Sequence, residues 1–137
     1  MRENYNMHSI EQVIVIDDDH PSLFLCKIIL EQKFANKKIV TYNNPLTAID
    51  YFKSAFSENP IETLLLVDIN MPEMSGWEVL DSIIELDQEL KKHITVIMLS
   101  SSIDPKDEQK AKDHPSALAY LEKPLNIEEL EEAMNIG

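Results

Sequence analysis

The sequence predicts an α/β domain: an open, doubly wound parallel sheet with helices on both faces. Short continuous apolar runs recur at Val13–Ile16, Thr63–Val67 and His93–Leu99, and polar residues end each one abruptly. Runs of this kind suit strands buried on both faces. Between them lie stretches whose apolar residues recur at helical spacing, and strands alternating with helices are the mark of βα units. The chain has 137 residues, room for about five such units and well short of the roughly 250 residues typical of a closed (β/α)8 barrel.

The elements follow in order. Residues 1–11 read as a polar leader and residues 12–137 as the domain. Val13–Ile16 is a strand ended by Asp17-Asp18-Asp19. His20 to about Phe34 is a helix with Pro21 in its first turn, where proline is tolerated, and Leu23, Leu25, Cys26, Ile29 and Leu30 supply its apolar surface. Lys38–Tyr42 is a short strand. Asn44-Pro45 is an N-cap with proline at the first helical position, and Leu46, Ile49, Phe52 and Phe56 recur behind it. The run Thr63–Val67 ends in Asp68. The loop Asn70–Gly76 leads to a helix with Val79, Leu80, Ile83 and Ile84 on one face, and Gly76 reads as a position needing positive φ. His93–Leu99 is a strand ending in Ser100-Ser101-Ser102. Residues 104–116 are polar, with Ala111 their only apolar side chain apart from Pro105 and Pro115. Ala117–Leu121 is the last strand, and Asn126 caps a final helix with Ile127, Leu130 and Met134 inward. Met71, Met74 and Trp77 read as packing residues, and Glu128, Glu129, Glu131 and Glu132 as a solvated face.

Composition removes several function classes. Asp and Glu number 25 against 12 Lys and Arg, a formal charge of −13. That balance opposes nucleic-acid binding, which rests on clustered cations, and docking on anionic membranes. Apolar residues make up 44% of the chain, too many for an acidic disordered tail. With two glycines there is neither a Walker A loop nor a GxGxxG fingerprint. A single cysteine, Cys26, excludes an internal disulfide and a multi-cysteine zinc site. The four histidines are scattered. No signal peptide precedes the domain and no run approaches the roughly 20 apolar residues of a membrane span, so the expected compartment is the cytoplasm.

In open α/β sheets, ligands bind beyond the carboxyl ends of the strands. The residues just after the runs are Asp17-Asp18-Asp19, Asp68, Ser100-Ser101-Ser102 and Lys123-Pro124. Carboxylates gathered on one rim repel, so either one stays protonated or a cation sits between them. Mg²⁺ suits hard oxygen ligands and commonly uses one or two carboxylates with a phosphate oxygen, whereas no Ca²⁺ loop is present. A lysine and a serine hydroxyl opposite such a site suit an arriving phosphoryl group, so the set reads as a phosphoryl-accepting carboxylate. Asp19 reads as a helix cap rather than a ligand, and Ser101 competes with Ser100 for the hydroxyl role.

The residues that carry these features also carry a resemblance. Ile16-Asp17-Asp18, the stretch Leu66–Gly76 (LVDINMPEMSG), Val96–Ser100 and Tyr120-Leu121-Glu122-Lys123-Pro124 resemble, in order and over residues 12–136, the receiver domain of two-component response regulators. The resemblance implies a flavodoxin-like (CheY-like) five-stranded sheet of order 2-1-3-4-5. It implies Asp68 as the acceptor of a phosphoryl group from a histidine kinase or histidine phosphotransfer protein. By the same resemblance, Asp18 is the principal Mg²⁺ ligand, Asp17 its water-mediated neighbour, and Asn70 a ligand through its backbone carbonyl. Ser100 and Lys123 attend the phosphoryl oxygens, Tyr120 switches with Ser100, and the Lys123–Pro124 bond is cis. Pro115 stands near a position where the family usually has glycine, and the helix in the polar 104–116 segment is expected to be short and loosely packed.

The expectation is therefore a stand-alone, single-domain response regulator acting on a further protein or relaying phosphate, with no direct nucleic-acid contact and no catalytic turnover of its own beyond self-dephosphorylation. The rival reading, a small Mg²⁺-dependent phosphohydrolase with an aspartate nucleophile, lacks the second acid two residues on, where Asn70 stands. A receiver that binds partners without being phosphorylated would not need the full acid, serine and lysine set.

Overall fold

The computed structural model describes residues 9–135, so leader residues 1–8 and positions 136–137 lie outside the described residues. Five parallel strands, β1 (Gln12–Ile16), β2 (Lys38–Tyr42), β3 (Thr63–Asp68), β4 (Ile94–Ser100) and β5 (Ala117–Glu122), form one sheet of order β2-β1-β3-β4-β5. The fold class and strand order are those expected. The connections are α1 (His20–Lys33), α2 (Pro45–Lys53) with the single turn α3 (Ala55–Glu58), α4 (Gly76–Ile84) with the single turn α5 (Gln88–Lys91), α6 (Pro105–Asp113), and the closing α7 (Ile127–Asn135).

Two-sided burial explains why the central strands are uninterrupted apolar runs. Successive side chains on a strand point to opposite faces. Val13, Val15, Leu64, Leu66, Ile97 and Leu99 therefore meet Leu23, Cys26, Leu30, Leu130 and Met134 of α1 and α7. Ile14, Ile16, Leu65, Val67, Val96 and Met98 meet Ile49, Phe52, Phe56, Val79, Leu80 and Ile83 on the other face. Ile10, inside the stretch read as a leader, is buried in the first of these cores. The helices α1, α2 and α4 begin where their caps stand: the side chains of Asp19, Asn44 and Ser75 accept from Ser22, Leu46 and Glu78 N–H groups, and Ser75 with Glu78 completes a capping box.

Three local expectations are corrected. Leu25 and Leu46 are 46% and 53% exposed. Leu25 faces away from the buried stripe of Leu23, Cys26 and Leu30, and Leu46, the second residue of α2, lies off the inward stripe of Pro45, Ala48, Ile49 and Phe52. The helix begun at Pro45 also stops at Ser54, so Phe56 is buried from the separate turn α3. Gly76 has no positive φ. Its requirement is steric: a Cβ there would lie 2.5 Å from the Asp68 carbonyl oxygen and 2.9 Å from Ile69 Cα.

The polar 104–116 segment does form a helix, and α6 buries Ala111 alone. Beside its packing on β5, it is tied to Trp77 of α4. The indole N–H donates to Asp107 at 3.0 Å, Lys110 Nζ sits 5.3 Å from the ring centroid, and the His114 ring stacks at 6.0 Å. Polar and ring contacts thus replace the apolar stripe that a helix of this length ordinarily buries. No helix among the described residues is long and apolar enough to cross a membrane.

Candidate functional site

The carboxyl ends of β1, β3, β4 and β5 bring Asp17, Asp18, Asp68, Ser100 and Lys123 to one rim, as the strand-end rule requires. One carboxylate oxygen from each of Asp17, Asp18 and Asp68 lies within 4.8 Å of the other two. Asp17 and Asp68 are buried, and Asp18 is half-buried between Asp17 and solvent-facing Asp19. Lys123 Nζ donates to Asp17 Oδ2 at 2.7 Å and stands 3.4 Å from Asp68 Oδ1. The Lys123–Pro124 peptide bond that leads out of the site is cis.

The charges do not balance. Three carboxylates face one ammonium, so when all are ionised two negative charges remain uncompensated. Burial, and then the charge of Asp17, push the Asp68 carboxyl up to about 6, although Lys123 and the Asn70 N–H pull it back. Burial works against the charge on Lys123, but hydrogen bonding to Asp17 and the two carboxylate charges hold its pKa above the ordinary value. An ionised Asp68 is therefore costly until a further cation arrives. Three clustered oxygen donors, one of them open to solvent, fit a hard divalent ion. Asn70 is exposed, and its N–H donates to Asp68 Oδ1 at 3.4 Å.

Around this core the other expected residues take definite places. Ser100, the last residue of β4, is buried and Ser101 is exposed. The Ser100 hydroxyl donates to Ser102 O at 2.6 Å. The half-buried Tyr120 hydroxyl donates to the same carbonyl at 3.3 Å and accepts from Asp104 N–H, the cap of α6, at 3.2 Å. Ser100 and Tyr120 thus share one acceptor, Ser102 O, and the start of α6 is joined to it through the Tyr120 hydroxyl. Asp19 caps α1 and gives its carboxylate to Ser22 N–H.

Sequence reasoning missed Ser22, whose hydroxyl donates to Asp17 Oδ2 at 2.7 Å. The available signal was its place in the first turn of the helix following the acids, where side chains tilt back toward the N-terminus. The buried thiol of Cys26 is pushed up to about 11, by burial first and then by the charge of Asp17, so it is not a thiolate nucleophile.

Comparison with known proteins fits this geometry. A structure from Cytophaga hutchinsonii, described as a two-component response regulator, is 30% identical with a TM-score of 0.82, covering 93% of this chain and 96% of that one. A response regulator receiver protein from Dyadobacter fermentans is 29% identical with a TM-score of 0.79, over 88% and 92% of the two chains. Among curated proteins, the rice two-component response regulator ORR22 (Oryza sativa) is 29% identical over 87% of this chain. The chain spans only 16% of that relative's length. The family model for the response regulator receiver domain matches residues 13–135. With that match laid over the rim of acids, serine and lysine, the chain belongs to the response regulator receiver domain family.

Proposed function

We infer that residues 12–137 act as a phosphorylation-controlled switch in which Asp68 accepts the phosphoryl group. The observation that carries the reading is the placement of a buried Asp68 between two further acids and a lysine already shared with Asp17. A carboxylate oxygen of Asp68 attacks phosphorus, forming a P–O bond as the P–N bond to a donor histidine breaks. The electron pair of that bond stays on the imidazole. Asp17, Asp18, Asp68 and the Asn70 carbonyl would hold Mg²⁺, which supplies charge neutralisation for the acids and the transferring oxygens.

The protein's own groups do the rest. Lys123, 3.4 Å from Asp68 against 2.7 Å from Asp17, needs only a small shift to reach a phosphoryl oxygen. Ser100 turns its hydroxyl from Ser102 O to the same group. The added charge of about −1.5 to −2 draws both inward. Ser102 O then loses one of its two donors, and Tyr120 and the cap of α6 are free to rearrange. Because α6 buries only Ala111, its position is easily shifted, and this face presents the state of Asp68 to a partner protein. The donor is a histidine kinase or a histidine phosphotransfer protein, and the reaction belongs to the cytoplasm.

The test is incubation with acetyl phosphate and Mg²⁺ followed by intact mass measurement. Wild type gains one phosphoryl group and Asp68→Asn gains none; an unlabelled wild type, beside another receiver that labels, overturns the assignment. Asp68→Asn has a second expected effect. Since the Asp68 carboxyl lies at about 6 in the fold against an ordinary 3.8, its ionisation opposes folding above that window. The substitution therefore stabilises the metal-free protein at pH 7 by about 1–3 kcal/mol. Urea unfolding in EDTA measures it, and the gain disappears below about pH 4, where both folded and unfolded forms of the wild type are protonated.

A further inference from the structure

We propose that Ser22 is a positioning residue for the acidic pair: its hydroxyl fixes the Asp17 carboxylate, and through it Asp18 and Lys123, in the arrangement that takes up Mg²⁺ and the phosphoryl group. The inference rests on the reading of the site given above.

The hydrogen bonds close a ring. Asp19 N–H donates to Asp17 Oδ1 at 3.0 Å, Ser22 N–H donates to Asp19 Oδ2 at 3.0 Å, and the Ser22 hydroxyl returns to Asp17 Oδ2 at 2.7 Å. The bond from Asp19 N–H to Asp17 Oδ1 spans Asp18, which lies between the two in the chain. The helix does not need this hydroxyl, because Asp19 already caps α1 through the Ser22 backbone. The side chain of Ser22 serves the site instead.

Its partner atom also tells what it does. Asp17 Oδ2 is the oxygen that holds Lys123 at 2.7 Å. A hydroxyl sharing that oxygen takes up part of its charge and stops the carboxylate from turning. Without it, Lys123 alone compensates Oδ2, is bound more tightly to Asp17, and is less available to Asp68 across the 3.4 Å gap. Asp17, fully buried, would keep one hydrogen bond on each oxygen and lose the third that locks its plane. Partners that orient metal-binding groups commonly change affinity by 10–100-fold when removed.

The experiment is calorimetric titration of the intact protein with MgCl2, without phosphodonor, on wild type, Ser22→Ala and Ser22→Thr. Ser22→Ala is expected to bind Mg²⁺ about tenfold more weakly, and Ser22→Thr, which keeps the hydroxyl, to stay within about twofold of wild type. Labelling by acetyl phosphate at saturating Mg²⁺ should slow in the alanine variant and recover in the threonine variant. A purely structural serine would lower stability in urea and leave the Mg²⁺ affinity in place. Should Ser22→Ala not fold, Ser22→Val set against Ser22→Thr makes the same comparison in one shape with and without the hydroxyl. Equal Mg²⁺ affinity with and without the hydroxyl overturns the role of Ser22 alone. A wild type that takes up no Mg²⁺ overturns the reading of the site, and this inference with it.

Discussion

Lys123→Met is expected to destabilise the metal-free protein by about 3–5 kcal/mol, the range for removing one member of a buried ion pair. Methionine keeps much of the volume of the lysine stem, so the loss comes from charge rather than packing. Asp17 is fully buried and Lys123 is its only cationic partner among the described residues. Removing the ammonium leaves Asp17 and Asp68 facing each other with nothing positive between them.

Two dependences identify that cause. Mg²⁺ should recover much of the loss, because it replaces the missing positive charge in the same cluster. The loss should also shrink as pH falls. Asp68 already lies at about 6 in the fold with Lys123 helping to lower it, so without the lysine it lies higher, and protonation between about pH 7 and 4 removes the repulsion. At the alkaline end the sign reverses. The wild-type lysine, held above its ordinary 10.5, stabilises the fold fully below that value and loses its contribution as pH rises through its folded pKa. Urea unfolding at pH 5, 7 and 8, with EDTA or MgCl2, measures the acid limb and the Mg²⁺ recovery, and the same measurement in EDTA carried above pH 10.5 measures the alkaline limb. A loss equal at every pH and unmoved by Mg²⁺ would show a packing defect instead.

Gly76→Ala sets two effects of opposite sign against each other. Alanine is favoured over glycine within a helix by about 1 kcal/mol. Here the added Cβ would meet the Asp68 carbonyl oxygen at 2.5 Å, Ile69 Cα at 2.9 Å and the Asp68 carbonyl carbon at 3.0 Å. These are backbone atoms beside the Asp68 carboxylate, tied to Gly76 by the hydrogen bond from its N–H to Ile69 O. They cannot rotate away as a flexible side chain could. The overlap is expected to win, with a net loss of about 1–3 kcal/mol, the usual range for overpacking. Labelling of Asp68 should slow as well, because the strand end that carries it must shift. The measurement is urea unfolding beside the labelling rate. A stabilised variant that labels normally would mean that α4 can slide off the strand end without cost.

The two substitutions show which parts of the site could be read in the chain. Lys123 was legible because its role depends on being next in line after a strand, and strand ends are marked by where an apolar run stops. Gly76 was noticed but misread. A glycine before a helix suggests backbone freedom, whereas the actual demand is the close approach of α4 to the end of β3, a distance that only packing sets. Leu25 and Leu46 failed similarly, since a helix of mixed composition allows more than one apolar stripe and the sheet chooses between them. Ser22 was passed over because serine near a helix start is ordinary, and its partner becomes visible only when the hydroxyl is seen 2.7 Å from Asp17 Oδ2.

The layered α/β class, all five strands, and the convergence of Asp17, Asp18, Asp68, Ser100 and Lys123 were legible in the chain, because two-sided burial writes strands as continuous apolar runs and parallel connection puts their carboxyl ends on one edge. Tertiary structure alone decided how those groups share their hydrogen bonds. Asp17 rather than Asp68 holds the lysine, Ser22 completes the Asp17 shell, Ser100 and Tyr120 meet at one carbonyl, and Trp77 anchors a helix that has almost no apolar face. Each of those turns on the distance and orientation of particular side-chain atoms, and spacing along a sequence carries no such distance.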